Sequence, residues 1–380
     1  MELRSEQVSD IISSGPEMAR IQVGNLQLCP TDVAELSRSL ADTGDSNDNT
    51  NPDKRVESDF CEKPDGFLGT IQTIFFPVTF LFILVVGLSL NLPVMWILVA
   101  RIKRWSRSTI FLFNLVLADV TWILCLPFLI HYHFNQLHWI FGDGLCKLTR
   151  TVYHTSYYCS VYFVTCLSMD RYLAIVHPLK SLRLLKKHQS LIICLSIWAA
   201  TFLSSIPIPF FAGTEICENN KTICTNYVFS PYTHVTLPYS LLSTAIGCLL
   251  PFVSLCYCYC SSVGELRRVE MHRLRRRDLL TKLMCSALVI FAVLYLPYHA
   301  SRNTCILLRT FGPYAPPVIQ RADALFFIEM AVCSLNSCVN PLFCFLAGGD
   351  FREQVCKIAH SVPPFKKWRL GSKKSAVCPT

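Results

Sequence analysis

The run TIQTIFFPVTFLFILVVGLSLNLPVMWILVA, Thr70 to Ala100, contains no charged side chain. A helix needs about 20 mostly apolar residues to cross the hydrocarbon of a bilayer, and in lipid only a helix or a closed barrel satisfies its own backbone polar groups. This run is long enough to be such a helix. The same test selects six more: Thr109 to His131, Leu145 to Val176, Leu191 to Phe211, Leu237 to Cys260, Leu279 to Leu307 and Ala322 to Leu346. A turn, a proline or a charge cluster follows each of them. Composition agrees, since 52% of the 380 residues are apolar and only 16% are charged, and mean hydropathy is +0.39, more oil than a water-soluble domain carries. The expected fold is an all-α membrane protein, a seven-transmembrane-helix bundle with a short amphipathic eighth helix from Asp350 to His360.

Positive charge in short loops accumulates on the cytoplasmic side. Arg101, Lys103, Arg104 and Arg107 follow the first span; Lys180, Arg183, Lys186 and Lys187 follow the third; Arg267, Arg268, Arg273, Arg275, Arg276 and Arg277 follow the fifth. These loops are expected inside and the amino terminus outside, giving a multi-pass plasma-membrane protein. The net charge of +9 then reflects topology, and no nucleic-acid polymer is expected as a partner. Residues 1–66 read as a flexible extracellular arm with a polar linker from Asp42 to Arg55. Residues 67–349 are the membrane domain, and residues 350–380 a cytoplasmic helix and disordered tail. No signal-peptide core precedes the first span, which is expected to act as the signal itself. The arginine-rich third inner loop is expected to face lipid headgroups or a signalling partner.

Most of the 20 cysteines fall inside spans, where a thiol acts as a small apolar filler. Cys256, Cys258 and Cys260 look like a metal cluster until they are placed on a helix, where residues two apart diverge. His131, His133 and His138 lack fixed partners for zinc. Cys146 sits at the outer end of the third span, and Cys217 and Cys224 lie in the outer loop after the fourth. A Cys146–Cys224 bridge is expected, because the outside is oxidising and the bond would pin that loop over the bundle mouth. Cys217, Cys61 and Cys305 remain candidates for a second bridge, its connectivity open. The sequon Asn220-Lys221-Thr222 in the same loop is a glycosylation candidate. Cys356 in the short last helix is a candidate palmitoyl acceptor, with an unmodified thiol as the alternative.

Polar groups are costly inside a bilayer and so are functional suspects. Asp119, Ser160, Asn336 and Asn340, with Asn91, lie at similar depth. Their oxygens could hold a structural sodium ion with waters, or could form a hydrogen-bond network that only ties helices together. No other cofactor is expected.

The third span ends in SMDRYLAIVHPL, Ser168 to Leu179. With Asn91, LVLAD at Asp119, Cys146, Trp198, Pro251 with Tyr259, FAVLYLP with Phe291 and Pro297, and NP at Asn340 and Pro341, the chain resembles the class A, rhodopsin-like G-protein-coupled receptors from Thr70 to His360. The resemblance implies a ligand-driven outward swing of the sixth helix that opens a cytoplasmic cleft for a heterotrimeric G-protein. Asp170, Arg171, Tyr172, Tyr259, Asn340 and Pro341 would carry coupling and activation. Prolines such as Pro251 and Pro297 weaken helices locally and permit hinge motion.

The outer half resembles the metabotropic nucleotide receptors (purinoceptors) and their relatives for small carboxylates and lipids. LPFLIHYH at Leu126 to His133, HWIFGDGLCK at His138 to Lys147, YHASR at Tyr298 to Arg302 and SLNSC at Ser334 to Cys338 carry this likeness. It implies a ligand pocket lined by Arg150, Tyr153, His154, Tyr158, His299 and Arg302. The residues alone are consistent with that. Arg302 and His299 share one helix face and Arg150 and His154 another; if both faces turn inward they converge on one cavity suited to an anion, with tyrosine rings for a flat base. Otherwise the cations reach up to water or headgroups. The chain departs from the subfamily at Met330, where those receptors usually carry an arginine, so Arg309 or Arg321 would have to substitute. Cys344 stands where a tyrosine is expected after the NP motif.

The expected function is a receptor for a small extracellular anionic ligand, a nucleotide first and a small carboxylate or acidic lysolipid second, signalling through a heterotrimeric G-protein. A membrane transporter is the alternative of another class, but no internal duplication or broken midplane helix supports it. An opsin would need a lysine in the seventh span, which has none. No nucleophile, base and orienting group share a depth, so no enzyme is expected and no catalytic residue is assigned.

Overall fold

The computed structural model describes residues 22–23, 26–27, 66–177, 186–217, 220–268, 282, 284–312, 315–347 and 349–361. The chain divides into two compact units, Met1–Val56 and Glu57–Thr380. In the first, strands β1 (Gln22–Val23) and β2 (Leu26–Gln27) pair antiparallel, Gln22 opposite Gln27 and Val23 opposite Leu26.

The second unit contains seven helices long and apolar enough to span a membrane: α1 Gly66–Arg101, α2 Arg107–Phe134, α3 Gly142–Val176, α4 Lys187–Phe211, α5 Thr233–Glu265, α6 Met284–Phe311 and α7 Pro316–Leu346. A short α8, Gly349–Ser361, follows. Several spans begin before the purely apolar stretch, as in α2 from Arg107 and α4 from Lys187, where the capping and first-turn residues are polar. The Ser106 hydroxyl, for example, accepts from the Thr109 amide and so starts α2. The start of the sixth apolar run, Leu279 to Thr281, and the basic loops at Lys180 and Arg273 lie outside the described residues.

Burial separates the helices by role. α3 packs against α2, α4 and α5, while α1, α4 and α5 leave most of their apolar side chains facing outward. Val78, Phe82, Val85, Leu195, Leu203 and Val253 are exposed on those faces, as is usual for helices long and apolar enough to span a membrane. In α8, Phe351 is buried against Phe345, with ring centroids 5.1 Å apart.

Three spans contain a wide π turn just before a proline: Ile71–Phe75 before Pro77, Ala245–Leu249 before Pro251 and Phe291–Tyr295 before Pro297. A proline ring clashes with the carbonyl four residues earlier. In all three helices that carbonyl, of Thr73, Gly247 or Val293, lies inside the wide turn, so the extra residue relieves the clash and the helix continues. The turn in α5 also brings its backbone against α3. A Cβ built on Gly247 would overlap Cε1 and Cδ1 of the Tyr158 ring. Gly247→Ala is therefore expected to displace that ring and destabilise the bundle by about 1 to 3 kcal/mol, the usual cost of overpacking. A thermal unfolding midpoint equal to wild type, measured on purified protein in detergent, would contradict that seating.

Between α4 and α5 a hairpin, β3 (Thr214–Ile216) and β4 (Thr222–Cys224), pairs Thr214 with Cys224 and Ile216 with Thr222. A disulfide joins Cys224 to Cys146 at the start of α3, as the sequence reading expected. The hairpin is also held by Asp143 of α3, whose carboxylate accepts from the Thr214 amide at 2.9 Å, and by the Trp139 amide donating to the Thr222 carbonyl at 2.8 Å. Asn220 is exposed at the tip with φ of 58°, a left-handed conformation that asparagine tolerates. Cys217 is disulfide-bonded too. Cys305 is excluded as its partner because that thiol is free and buried, and Cys61 lies outside the described residues.

Candidate functional site

At the bridged end of the bundle is a cavity of about 190 Å³. Its walls come from α1, α2, α3, α6, α7, strand β4 and the turn after it, with Tyr132, His133, Arg150, Phe229, Arg309 and Asp323 among the lining residues. The Arg150 guanidinium donates to the Cys224 carbonyl at 2.8 Å, and its Nε finds no acceptor. No carboxylate pairs with it among the described residues. Arg309 is arranged differently. Its Nη2 donates to both oxygens of Asp323, at 2.8 and 2.7 Å, its Nη1 donates to the Cys305 carbonyl, and its guanidinium lies over the Phe229 ring at 4.9 Å. One of the two cations is thus neutralised within the cavity and the other is not. His133 pairs through Nδ1 with the Gln72 carbonyl, 2.8 Å away.

Of the six residues expected to line a ligand pocket, the structure brings only Arg150 to this cavity. Arg302 is fully buried and turns toward α3 and α5: Nη1 donates to the Tyr158 hydroxyl at 3.1 Å, and Nη2 to the Ser240 carbonyl, Ser243 Oγ and Thr244 Oγ1 at 3.0, 2.9 and 2.9 Å. His299 lies between the Tyr157 hydroxyl and Thr244 Oγ1, each at 3.0 Å. His154 faces α4 and α5, contacting Ser205 Oγ at 2.8 Å and the Tyr239 hydroxyl at 3.0 Å. Tyr153 packs against Trp122 at a tilt, with ring centroids 4.7 Å apart and planes 58° to each other, and borders a separate, much smaller void. The two pairs therefore do not converge on this cavity. The 3.6-residue period tells which side chains share a face, but hydroxyls on α5 set which way the α6 face turns. Beside this knot and outside the spans, burial pushes the Tyr227 phenol up to about 12, against the pull of the Arg302 guanidinium.

The lining residues that sequence reasoning did not assign to a ligand pocket include Tyr132, Phe229 and Asp323, and His133, which it weighed only as a zinc ligand. A signal existed for Asp323, a carboxylate at the start of an apolar helix and therefore a suspect by cost alone. Met330 does line the cavity, so the position vacated by the usual arginine belongs to the site. Arg321 is not among the lining residues.

Deeper in the bundle, Asp119 accepts from Ser160 Oγ at 3.1 Å and from the Asn340 amide at 2.9 and 3.0 Å. Asp119, Ser160 and Asn336 border a void of about 10 Å³, room for one water-sized particle. Asn336 does not bond Asp119; its amide donates to the Tyr295 hydroxyl at 3.3 Å and its carbonyl accepts from Ser337. The Asn91 amide donates to the carbonyls of Gly87 and Ser337. At the opposite end, Asp170 accepts from Ser108 Oγ at 2.8 Å and lies 3.5 Å from Arg107 and 3.8 Å from Arg171. Arg171 donates to Ser108 Oγ. Tyr172 meets the Tyr257 hydroxyl at 3.4 Å, while Tyr259 is half-buried beside the core. Pro341 begins the last helical segment of α7. Cys356, the candidate palmitoyl acceptor, is disulfide-bonded.

The sequence matches the 7 transmembrane receptor (rhodopsin family) over residues 90–343. It is 33% identical over 308 residues to purinoceptor 1 of Homo sapiens, covering 80% of this chain and 82% of that one. It is 34% identical over 292 residues to purinoceptor 1 of Gallus gallus, covering 75% and 80%. To purinoceptor 4 of Xenopus laevis it is 30% identical over 315 residues, 79% of this chain and 56% of the relative. With seven spanning helices, a bridged hairpin over one end and Asp170-Arg171 at the other, the chain belongs to the rhodopsin-family seven-transmembrane receptors, among their purinoceptor-like members, a multi-pass plasma-membrane receptor and not an enzyme.

Proposed function

We propose that this receptor binds a small extracellular anion, a nucleotide in the first place, in the cavity at the bridged end. The observation that carries this reading is Arg150, a half-buried guanidinium with no carboxylate partner among the described residues, set in a cavity of about 190 Å³. A guanidinium so placed holds phosphate or carboxylate through paired hydrogen bonds. Tyr132, Phe229 and Phe327 supply rings beside it against which a flat base packs. The purinoceptor names of the relatives support the nucleotide. A second reading, a small carboxylate or acidic lysolipid, is favoured by the Asp323–Arg309 pair, which leaves a single uncompensated cation amid apolar walls at Leu68, Phe76 and Leu137. In this reading the amino terminus is extracellular, as the basic loops indicate, and Asn220 is the glycosylated residue. Second-messenger responses of cells expressing the chain to nucleotides, dicarboxylates and lysophospholipids side by side test it. Silence to all three would refute it.

At the far end a heterotrimeric G-protein is the proposed partner. Arg171, held by Asp170 and Ser108, is the group that would turn into the cleft, with Tyr172 and Tyr259 beside it and Asn340 and Pro341 shaping α7. Membrane lipid bathes the exposed helix faces.

The residues around Asp119 fit a sodium ion: a carboxylate, a hydroxyl and an amide border a space of one particle, and hard oxygens are what that cation takes. Asp119, Ser160 and Asn336 would hold it, and Asn340 orients the carboxylate. Asp119→Asn is expected to abolish any difference in ligand affinity between sodium and potassium chloride. A sodium effect that persists in the variant would rule the site out.

A further inference from the structure

Asp323 is unusual among the cavity residues because it presents a carboxylate to a site read here as anion-binding. It stands near the start of α7, is buried, and receives two hydrogen bonds from Arg309 of α6. Both partners border the cavity, so the pair is part of its wall and not a strut behind it. The side chains of Arg309 and Asp323 are 12% and 9% exposed, so water screens their charges weakly and each is felt strongly within the cavity. Arginine and aspartate together add no net charge to the lining. Arg150 adds one positive charge, and the His133 Nδ1 is engaged by the Gln72 carbonyl.

We infer that Asp323 determines specificity: by neutralising Arg309 it limits the cavity to one available guanidinium and makes it favour ligands with few negative charges over polyphosphates. This rests on the reading that an anion binds at Arg150, and it narrows the ligand class to a monophosphate-like or single-carboxylate head. A purely structural pair would tie α6 to α7 and affect every ligand alike. A charge filter changes their order.

The test uses the full-length receptor in nanodiscs with adenosine mono-, di- and triphosphate as probes, and reads the ratio of triphosphate to monophosphate affinity. In Asp323→Asn, Arg309 is released and the ratio is expected to rise about tenfold or more, equivalent to about 1.4 kcal/mol. Asp323→Ser serves the same purpose should the asparagine variant fail to fold. Arg309→Ala leaves a bare carboxylate in the wall, and the ratio is expected to fall. The double variant Asp323→Asn, Arg309→Ala removes both charges and should return the ratio to the wild-type value. Binding of all three probes with the same ratio in every variant would overturn the inference while leaving the site reading intact. If no probe binds the wild type, the nucleotide reading fails and the inference with it, whereas the carboxylate or lysolipid reading is decided by the second-messenger comparison; if Arg150→Ala weakens none of the probes that bind, the site reading itself fails.

Discussion

Replacing Arg150 by alanine is expected to weaken an anionic agonist by about 2 to 5 kcal/mol, the scale for removing one partner of a buried charged contact. In a second-messenger assay at matched surface expression, that is a rightward shift of at least about thirtyfold. The effect is large because Arg150 is the one cation of the cavity lining that Asp323 does not neutralise. Arg150→Lys should fall between the two, since an ammonium keeps the charge but loses the planar fork. The variant also removes the hydrogen bond to the Cys224 carbonyl, so its response to an uncharged agonist, if one is found, should move far less. An unchanged dose response to anions would remove Arg150 from the site.

Arg302→Ala is expected to act on the fold and not on the ligand. The side chain is fully buried and gives four hydrogen bonds to α3 and α5. Truncation removes these four bonds and leaves a hole where the side chain packed, while Ser243 and Thr244 still donate to the Ser240 carbonyl and Thr244 still meets His299. Hydrogen bonds to a charged group contribute about 1.5 to 3 kcal/mol each and the void adds its own term, but the desolvation cost of burying the guanidinium disappears with it and offsets much of that sum, so a net loss of about 3 to 5 kcal/mol is expected. It would appear as a lower unfolding midpoint and reduced surface expression, with ligands of every charge affected alike. Arg302→Lys should recover little, because one ammonium cannot satisfy four acceptors on two helices. If Arg302→Ala unfolded at the wild-type temperature yet selectively lost anionic ligands, the clamp assignment would be wrong.

The contrast between these two arginines shows where sequence reading stopped. Seven spans were legible because lipid demands long apolar runs, and the run from Thr70 to Ala100 meets that demand without any tertiary context. The Cys146–Cys224 bridge was legible because few cysteines lie outside the spans. Azimuth was not. Arg302 and His299 share a face with each other, but that face turns according to Ser240, Ser243 and Thr244, ordinary hydroxyl residues on another helix that nothing in the local pattern singles out. Asp323 was passed over because its partner Arg309 lies on a different helix, so the ion pair has no spacing by which to recognise it. Ser160 and Asn340 both hydrogen-bond Asp119, whereas the Asn336 amide joins Tyr295 instead of the carboxylate.

The hairpin β3–β4 is bonded covalently to the helix that carries Arg150, and that arginine in turn holds the hairpin's last carbonyl. These parts move as one piece, so the cavity has one fixed jaw. The opposing side, made by α1 and α7, has no such weld among the described residues. α1 and α7 meet the rest of the wall through non-covalent contacts, the Gln72 carbonyl with His133 and Asp323 with Arg309, and those contacts are where ligands of different bulk are expected to be accommodated.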